Sequence, residues 1–185
     1  AMTDGLALTD REWSSGRITL PRYRALYLDA VLREREGVYL RRDPALRELL
    51  SRSRSATENE YPLPESLRSV LRPYQQHGYR WLRTMEELGF GGILADDMGL
   101  GKTLQVIALL LAAKESGSDR RPSLVVCPTS LVLSWEREIQ RFAPALRALC
   151  VVGDAAARQT LLEQTVDYDV LLTSYDLLKR DVALY

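Results

Sequence analysis

The chain has 185 residues, room for one ordinary domain plus an appendage. It is 46% hydrophobic and 27% charged, the make-up of an average soluble globular protein. Its 25 basic side chains are matched by 25 acidic ones, so a nucleic-acid role would have to rest on a local patch and not on bulk charge. The longest apolar run, over 106–113, is half of an amphipathic helix and far short of a membrane span, and with no signal peptide the expected location is the cytoplasm.

Residues 1–20 carry few periodic cues, and the opening Ala1-Met2 reads as a tag remnant on a cut fragment. From Pro21 onward, Tyr23, Leu26, Tyr27, Ala30 and Val31 recur on one helical face, with Pro in the first turn. Asp43-Pro44 is a second helix start, leading into Leu46, Leu49 and Leu50. Two short helices bury too little to stand alone, so residues 1–60 are expected to be a helical appendage. It would end in a polar linker from Ser51 to Glu60, where the apolar period is lost.

The second domain is expected over 61–185. Pro73 opens a helix whose apolar face is Tyr74, Gly78, Trp81, Leu82 and Met85. Gly inside a helix costs roughly 1 kcal/mol relative to Ala, so Gly78 on that face points to close packing against a neighbour or a ligand. Gln75 can donate and accept at once, which suits the edge of an adenine, although most helical glutamines decorate a surface. His77, the only histidine, has no metal partners and reads as a surface or capping residue.

The central stretch is Gly91-Gly92-Ile93-Leu94-Ala95-Asp96-Asp97-Met98-Gly99-Leu100-Gly101-Lys102-Thr103. It is expected to be a short buried strand (Ile93, Leu94, Ala95), a tight loop, then a helix marked by Leu104, Ile107, Ala108 and Leu111. Lys102 and Thr103 then sit in the first helical turn, where unpaired N–H groups and the positive dipole end favour a phosphate. Gly99 and Gly101 let the backbone close around the anion, Lys102 brings a charge to the outer phosphates, and Thr103 brings a hydroxyl to Mg²⁺. This is a P-loop with one departure, because Asp96 stands where the general pattern opens with Gly. Only Lys102, Lys114 and Lys179 are lysines, which makes a chance Lys at this place less credible.

Beyond the turn at Ser116-Gly117-Ser118-Asp119, a second buried strand is expected at Leu124-Val125-Val126-Cys127, with Ser130 capping the helix of Val132, Trp135, Ile139 and Phe142. A third strand over 148–152 closes at Gly153-Asp154, and a short helix follows over 155–163. A fourth strand covers 169–173, and Ser174 caps a last helix. Cys127 and Cys150 fall in apolar strand-like runs without CxxC spacing, so buried free thiols are expected. Strand and helix alternating four times, with near-continuous apolar strands, means an α/β fold: a parallel sheet with helices on both faces. In such sheets ligands sit beyond the carboxyl ends of the strands. Besides the phosphate loop, Thr129, Ser130, Gly153, Asp154, Thr173 and Ser174 lie at those ends, where hydroxyls and helix N-termini suit a second polyanion.

The order of these motifs resembles the Snf-two (Swi/Snf-type) family of helicase superfamily two, in its bacterial form. Leu71-Arg72-Pro73-Tyr74-Gln75 with Gly78 and Trp81-Leu82 is similar to its Q-motif. Asp96-Asp97-Met98-Gly99-Leu100-Gly101-Lys102-Thr103-Leu104-Gln105 resembles motif I, in which Asp at the first place is usual and Glu is commoner than Asp97 at the second. Val126-Cys127-Pro128-Thr129-Ser130-Leu131 with Trp135-Glu136 and Glu138 is similar to motif Ia, and Leu172-Thr173-Ser174-Tyr175 to a later DNA-contacting motif. The resemblance runs from about Leu67 to Asp181, and more weakly over the first sixty residues.

What the resemblance implies is most of the first RecA-like lobe of an ATP-driven translocase on double-stranded DNA, a nucleoid-associated protein that remodels or displaces DNA-bound proteins such as transcription machinery. It assigns adenine to Gln75 with Arg72 nearby. It assigns the nucleotide to Asp97, Met98, Gly99, Leu100, Gly101, Lys102, Thr103 and Leu104, and the DNA backbone to Thr129, Ser130, Thr173 and Ser174. ATP and Mg²⁺ are the implied cofactors, with Lys102 and Thr103 as the residues of phosphoryl chemistry. The family's Asp-Glu motif II and second lobe are expected beyond Tyr185, so the chain alone should bind nucleotide without hydrolysing it. Two other readings stay open: a nucleotide-dependent switch, and a non-enzymatic scaffold with a vestigial P-loop.

Overall fold

The computed structural model describes residues 22–33, 41–58, 61–117 and 121–185. They fall into two compact units, divided between Glu58 and Asn59. The first unit holds helices α1 (Arg22–Arg33) and α2 (Pro44–Glu58). Asp43 caps α2 by accepting from Leu46 N at 2.7 Å, and Pro44 takes the first helical place. Asp29 is buried and accepts from both Arg33 and Arg42, each at 2.5 Å. Above all the hydrogen bond from Arg42 holds its carboxyl below the ordinary range, against burial, with Arg33 adding to the effect. The polar run expected as a linker is helical as far as Glu58. No Gly or Pro interrupts 45–61, and extending an existing helix costs far less than starting one. The expected start at Pro21 and the cues before it lie outside the described residues.

In the second unit, α3 (Pro73–Leu88) and α4 (Lys102–Ser116) precede β1 (Ser123–Cys127), α5 (Val132–Phe142) and β2 (Ala148–Cys150). Helix α6 (Ala155–Glu163), strand β3 (Val170–Ser174) and helix α7 (Tyr175–Asp181) follow. The three strands are parallel in the order β1-β3-β2, with Val125 and Cys150 both opposite Leu172. Alternation along the strands sends Val125, Cys127, Val170, Leu172, Ala148 and Cys150 to one face. There they pack with Leu104, Ile107 and Leu111 of α4 and with Val132 and Ile139 of α5. The opposite face is a smaller cluster of Leu149, Val151 and Leu171 under Leu161 and Leu162 of α6. Helices therefore cover both faces of a parallel sheet, as expected.

Three local expectations are corrected. Ile93, Leu94 and Ala95 form no strand, and Ile93 is 86% exposed. No described strand offers them a ladder; the Trp81 ring instead lies over Gly92, where a Cβ would fall 2.2 Å from it. Strand β1 is only partly buried, with Leu124 42% exposed, because among the described strands it pairs with β3 alone and lies at the edge of the sheet. Ser130 caps nothing: Thr129–Leu131 is a 3-10 turn closed by Leu131 N donating to Pro128 O at 2.8 Å, and α5 starts from Leu131 without a side-chain cap. The cysteines are free, Cys127 buried and Cys150 half-buried. Burial raises both thiols, Cys150 to about 12 with Glu136 adding to the effect, so neither is a thiolate at neutral pH.

Candidate nucleotide site

The phosphate loop is shaped by two glycines. Gly99 has φ +83° and Gly101 φ +69°, left-handed conformations that side chains resist. Gly101 ends the loop, and Leu104 N and Gln105 N donate back to its carbonyl, which starts α4 at Lys102. Lys102 and Thr103 therefore occupy the first turn, as expected. The N–H groups of that turn and the positive end of a 15-residue helix face the loop.

Helix α3 braces the loop from the side. Gln75 is buried; its Oε1 accepts from Arg72 N at 2.9 Å, closing the start of α3, and its Nε2 donates to Leu100 O at 3.0 Å. The same carbonyl accepts from the Tyr74 hydroxyl at 3.1 Å. A Cβ on Gly101 would lie 2.5 Å from Gln75 Nε2, so the loop backbone and the amide are in contact. The core face of α3 is accordingly Gln75, Tyr79 and Leu88, not the expected Tyr74, Trp81 and Met85 face. The Tyr74–Gly78–Trp81 side, with His77, instead lines a cavity of about 510 Å³ together with Ile93, Leu94, Ala95 and Asp96. Arg72 is exposed beside the start of α3, and Asp97 and Met98 are exposed in the loop.

Lys102 Nζ donates to Asp96 O at 2.5 Å and Asp97 O at 2.8 Å. The loop's own carbonyls thus hold the ammonium where a phosphate oxygen could replace them. Nothing lies within 4 Å of a Cβ built on Gly99, which leaves open space beside the loop. Among the described residues no group of three His, Cys, Asp or Glu side chains is placed to hold a metal. The half-buried Thr103 hydroxyl is the oxygen donor the loop itself supplies.

At the carboxyl edge of the sheet the expected polyanion residues divide. Thr129 and Ser130 are exposed. Thr173 and Ser174 are buried: Thr173 Oγ1 donates to Val151 O at 3.2 Å, and Ser174 Oγ accepts from Leu177 N at 3.4 Å to cap α7. Their hydroxyls are turned inward to the fold, which corrects the expectation that they face a ligand. Two contributors escaped the sequence reading. Gln105 Nε2 donates to Asp96 Oδ2 at 3.0 Å; the sequence set it at the end of the motif I stretch without a role, and Gly78 lies opposite it. Arg158, which no motif marks, is buried, donates to Gly153 O at 2.6 Å and pairs with Asp181 at 2.5 Å. Its hydrogen bond holds the Asp181 carboxyl below the ordinary range.

Comparison with known proteins bears on the family and the fold. Residues 74–185 match the model of the SNF2-related domain, and residues 1–64 that of the bacterial SNF2 helicase associated domain. The chain is 42% identical over 148 residues to the putative ATP-dependent helicase/translocase YwqA of Bacillus subtilis, covering 78% of this chain and 16% of that protein. It is 39% identical over 135 residues to the TATA-binding protein-associated factor MOT1 of Saccharomyces cerevisiae, covering 67% of this chain and 7% of the relative. Among solved structures, the Sulfolobus solfataricus SWI2/SNF2 ATPase core in complex with dsDNA is 49% identical with a TM-score of 0.55, over 61% of this chain and 23% of that one. The chain thus spans a small part of its relatives' length. With a RecA-like α/β fold and a family match over its second unit, the chain belongs to the SNF2-related family.

Proposed function

We propose that this chain is the ATP-binding part of a DNA-dependent ATPase that tracks along double-stranded DNA, with residues 1–60 as its appendage. The observation that carries the nucleotide assignment is the loop itself. Two left-handed glycines deliver Lys102 and Thr103 to the first turn of α4 while Gln75 grips the loop from the side. Gly99, Leu100, Gly101, Lys102, Thr103 and Leu104 would surround the phosphates, with Asp97 and Met98 at the rim and Thr103 offering its hydroxyl to Mg²⁺. Gln75 and Arg72, joined at the start of α3, are the candidates to read an adenine. Bound Mg·ATP supplies the phosphoryl group; the chain's own residues bind, orient and neutralise it. The exposed Thr129 and Ser130 are the candidates for the DNA backbone.

DNA as the track is supported by the dsDNA-bound Sulfolobus core, and DNA-bound transcription complexes as targets by MOT1. Phosphoryl transfer needs charge stabilisation beyond a P-loop, and an arginine finger alone contributes about 10³–10⁵ in rate. The chain by itself is therefore proposed to bind nucleotide and turn it over negligibly; a DNA-stimulated rate of about one per second or more would contradict this.

Calorimetric titration with Mg·ADP tests the nucleotide assignment. Saturable binding is expected, weakened about a hundredfold in Lys102→Ala, since a charge-assisted contact to phosphate is lost. Equal affinity in the two proteins would overturn it.

A further inference from the structure

Gln105 is fully buried in the second turn of α4. Its Nε2 donates to Asp96 Oδ2, while its Oε1 has no hydrogen-bond partner among the described residues. That oxygen is packed against α3: a Cβ on Gly78 would lie 1.9 Å from it. A buried amide oxygen without a protein partner is unfavourable, so the packing alone does not account for a glutamine here. The other end of the amide does. Asp96 is reached twice, its carboxylate by Gln105 and its backbone oxygen by Lys102 Nζ.

We propose that Gln105 is a positioning residue of the phosphate loop: it fixes Asp96 and, through the Asp96 carbonyl, the resting place of the Lys102 ammonium, with Gly78 leaving the room it needs. This rests on reading the loop as a nucleotide site. The segment entering the loop pairs with no described strand, so the side-chain anchors at Asp96, Gly92 and Leu100 keep it ordered. A loop ordered before the ligand arrives loses less entropy on binding, so the anchor favours ligands that carry phosphate and is indifferent to adenosine.

The test uses Gln105→Glu, which keeps the side chain's shape but sets a carboxylate against Asp96, and the double variant Asp96→Asn/Gln105→Glu, which restores a donor facing an acceptor. In Gln105→Glu, amide-exchange protection over residues 96–101 without nucleotide is expected to fall about tenfold, with the strands unaffected. Mg·ADP affinity is expected to fall by a similar factor while adenosine affinity holds, and the double variant should recover both to within about threefold. Gln105→Met, uncharged and of like length, should loosen the same amides and stands in if the glutamate variant does not fold. Unchanged protection in the single variants, or no recovery in the double, would overturn the proposal. Wild-type protein that takes no Mg·ADP while its exchange follows this pattern would instead refute the nucleotide reading and leave the anchoring role in place.

Discussion

Two glycines with opposite surroundings show what a single residue contributes here. Gly78 lies inside α3, where alanine would normally gain about 1 kcal/mol of helix propensity. Its missing Cβ, however, would sit 1.9 Å from Gln105 Oε1 and 3.6 Å from Leu94 Cδ1. Gln105 is fully buried and cannot swing clear without giving up Asp96. Overpacking should therefore win, and Gly78→Ala should destabilise the chain by about 1–3 kcal/mol in urea unfolding. Gly91, which meets nothing within 4 Å and needs no positive φ, is the matched control. Gly91→Ala should be neutral or gain up to about 1 kcal/mol by restricting the unfolded chain. If the two variants unfold at the same urea concentration, the α3–α4 contact is looser than it looks.

At the scale of elements, Asp169 fastens the amino-terminal edge of the sheet. Its carboxylate accepts from Lys114 Nζ at the end of α4 and from Arg147 N ahead of β2, each at 2.7 Å, while its carbonyl accepts from Ser123 N at the start of β1. Burial pushes its carboxyl up, but the Lys114 and Arg147 hydrogen bonds outweigh it and leave it below the ordinary range. The unfolded group titrates near about 4. Because the folded value is lower, this stabilisation is complete above about pH 4 and is lost as pH falls through the folded value. Asp169→Asn should cost about 1–2 kcal/mol at neutral pH and approach zero cost in strong acid, read from urea midpoints at several pH values. A cost that does not change with pH would reject the ionic account. This fastening was not legible in the sequence, because its partners are 55 and 22 residues away. The helices were legible where a period and a cap coincided: Asp43 and Ser174 each accept the cap hydrogen bond their positions announced, whereas the cap that Asp154 gives α6 was not read from the sequence. The reading failed at Ile93–Ala95, where three apolar residues state a preference for a strand but cannot supply the neighbour a strand requires. It also failed on the buried hydroxyls of Thr173 and Ser174, since sequence places a residue at a strand end without saying which way it turns.

For the whole molecule, the same sheet that carries the site sets a solubility problem. Strand β3 is paired on both sides, whereas β1 and β2 each pair with β3 alone among the described strands. An unpaired edge is a template for another chain, and the hazard grows with strand length and exposed apolar surface. Strand β2 has three residues; β1 has five, with Leu124 42% exposed beside Leu171 in a cavity of about 320 Å³. The chain has no net formal charge to keep copies apart. Self-association is therefore expected to rise with concentration and to run through β1. Sedimentation velocity across a wide concentration range should show it, and Leu124→Lys, which puts a charge on that edge, should suppress it while leaving Mg·ADP affinity unaltered. A single monomeric boundary at the highest concentration would reject the edge as an adhesive surface. Association that persists in Leu124→Lys would place the contact elsewhere, with the exposed Ile93 and Met98 beside the phosphate loop as the next surface to charge.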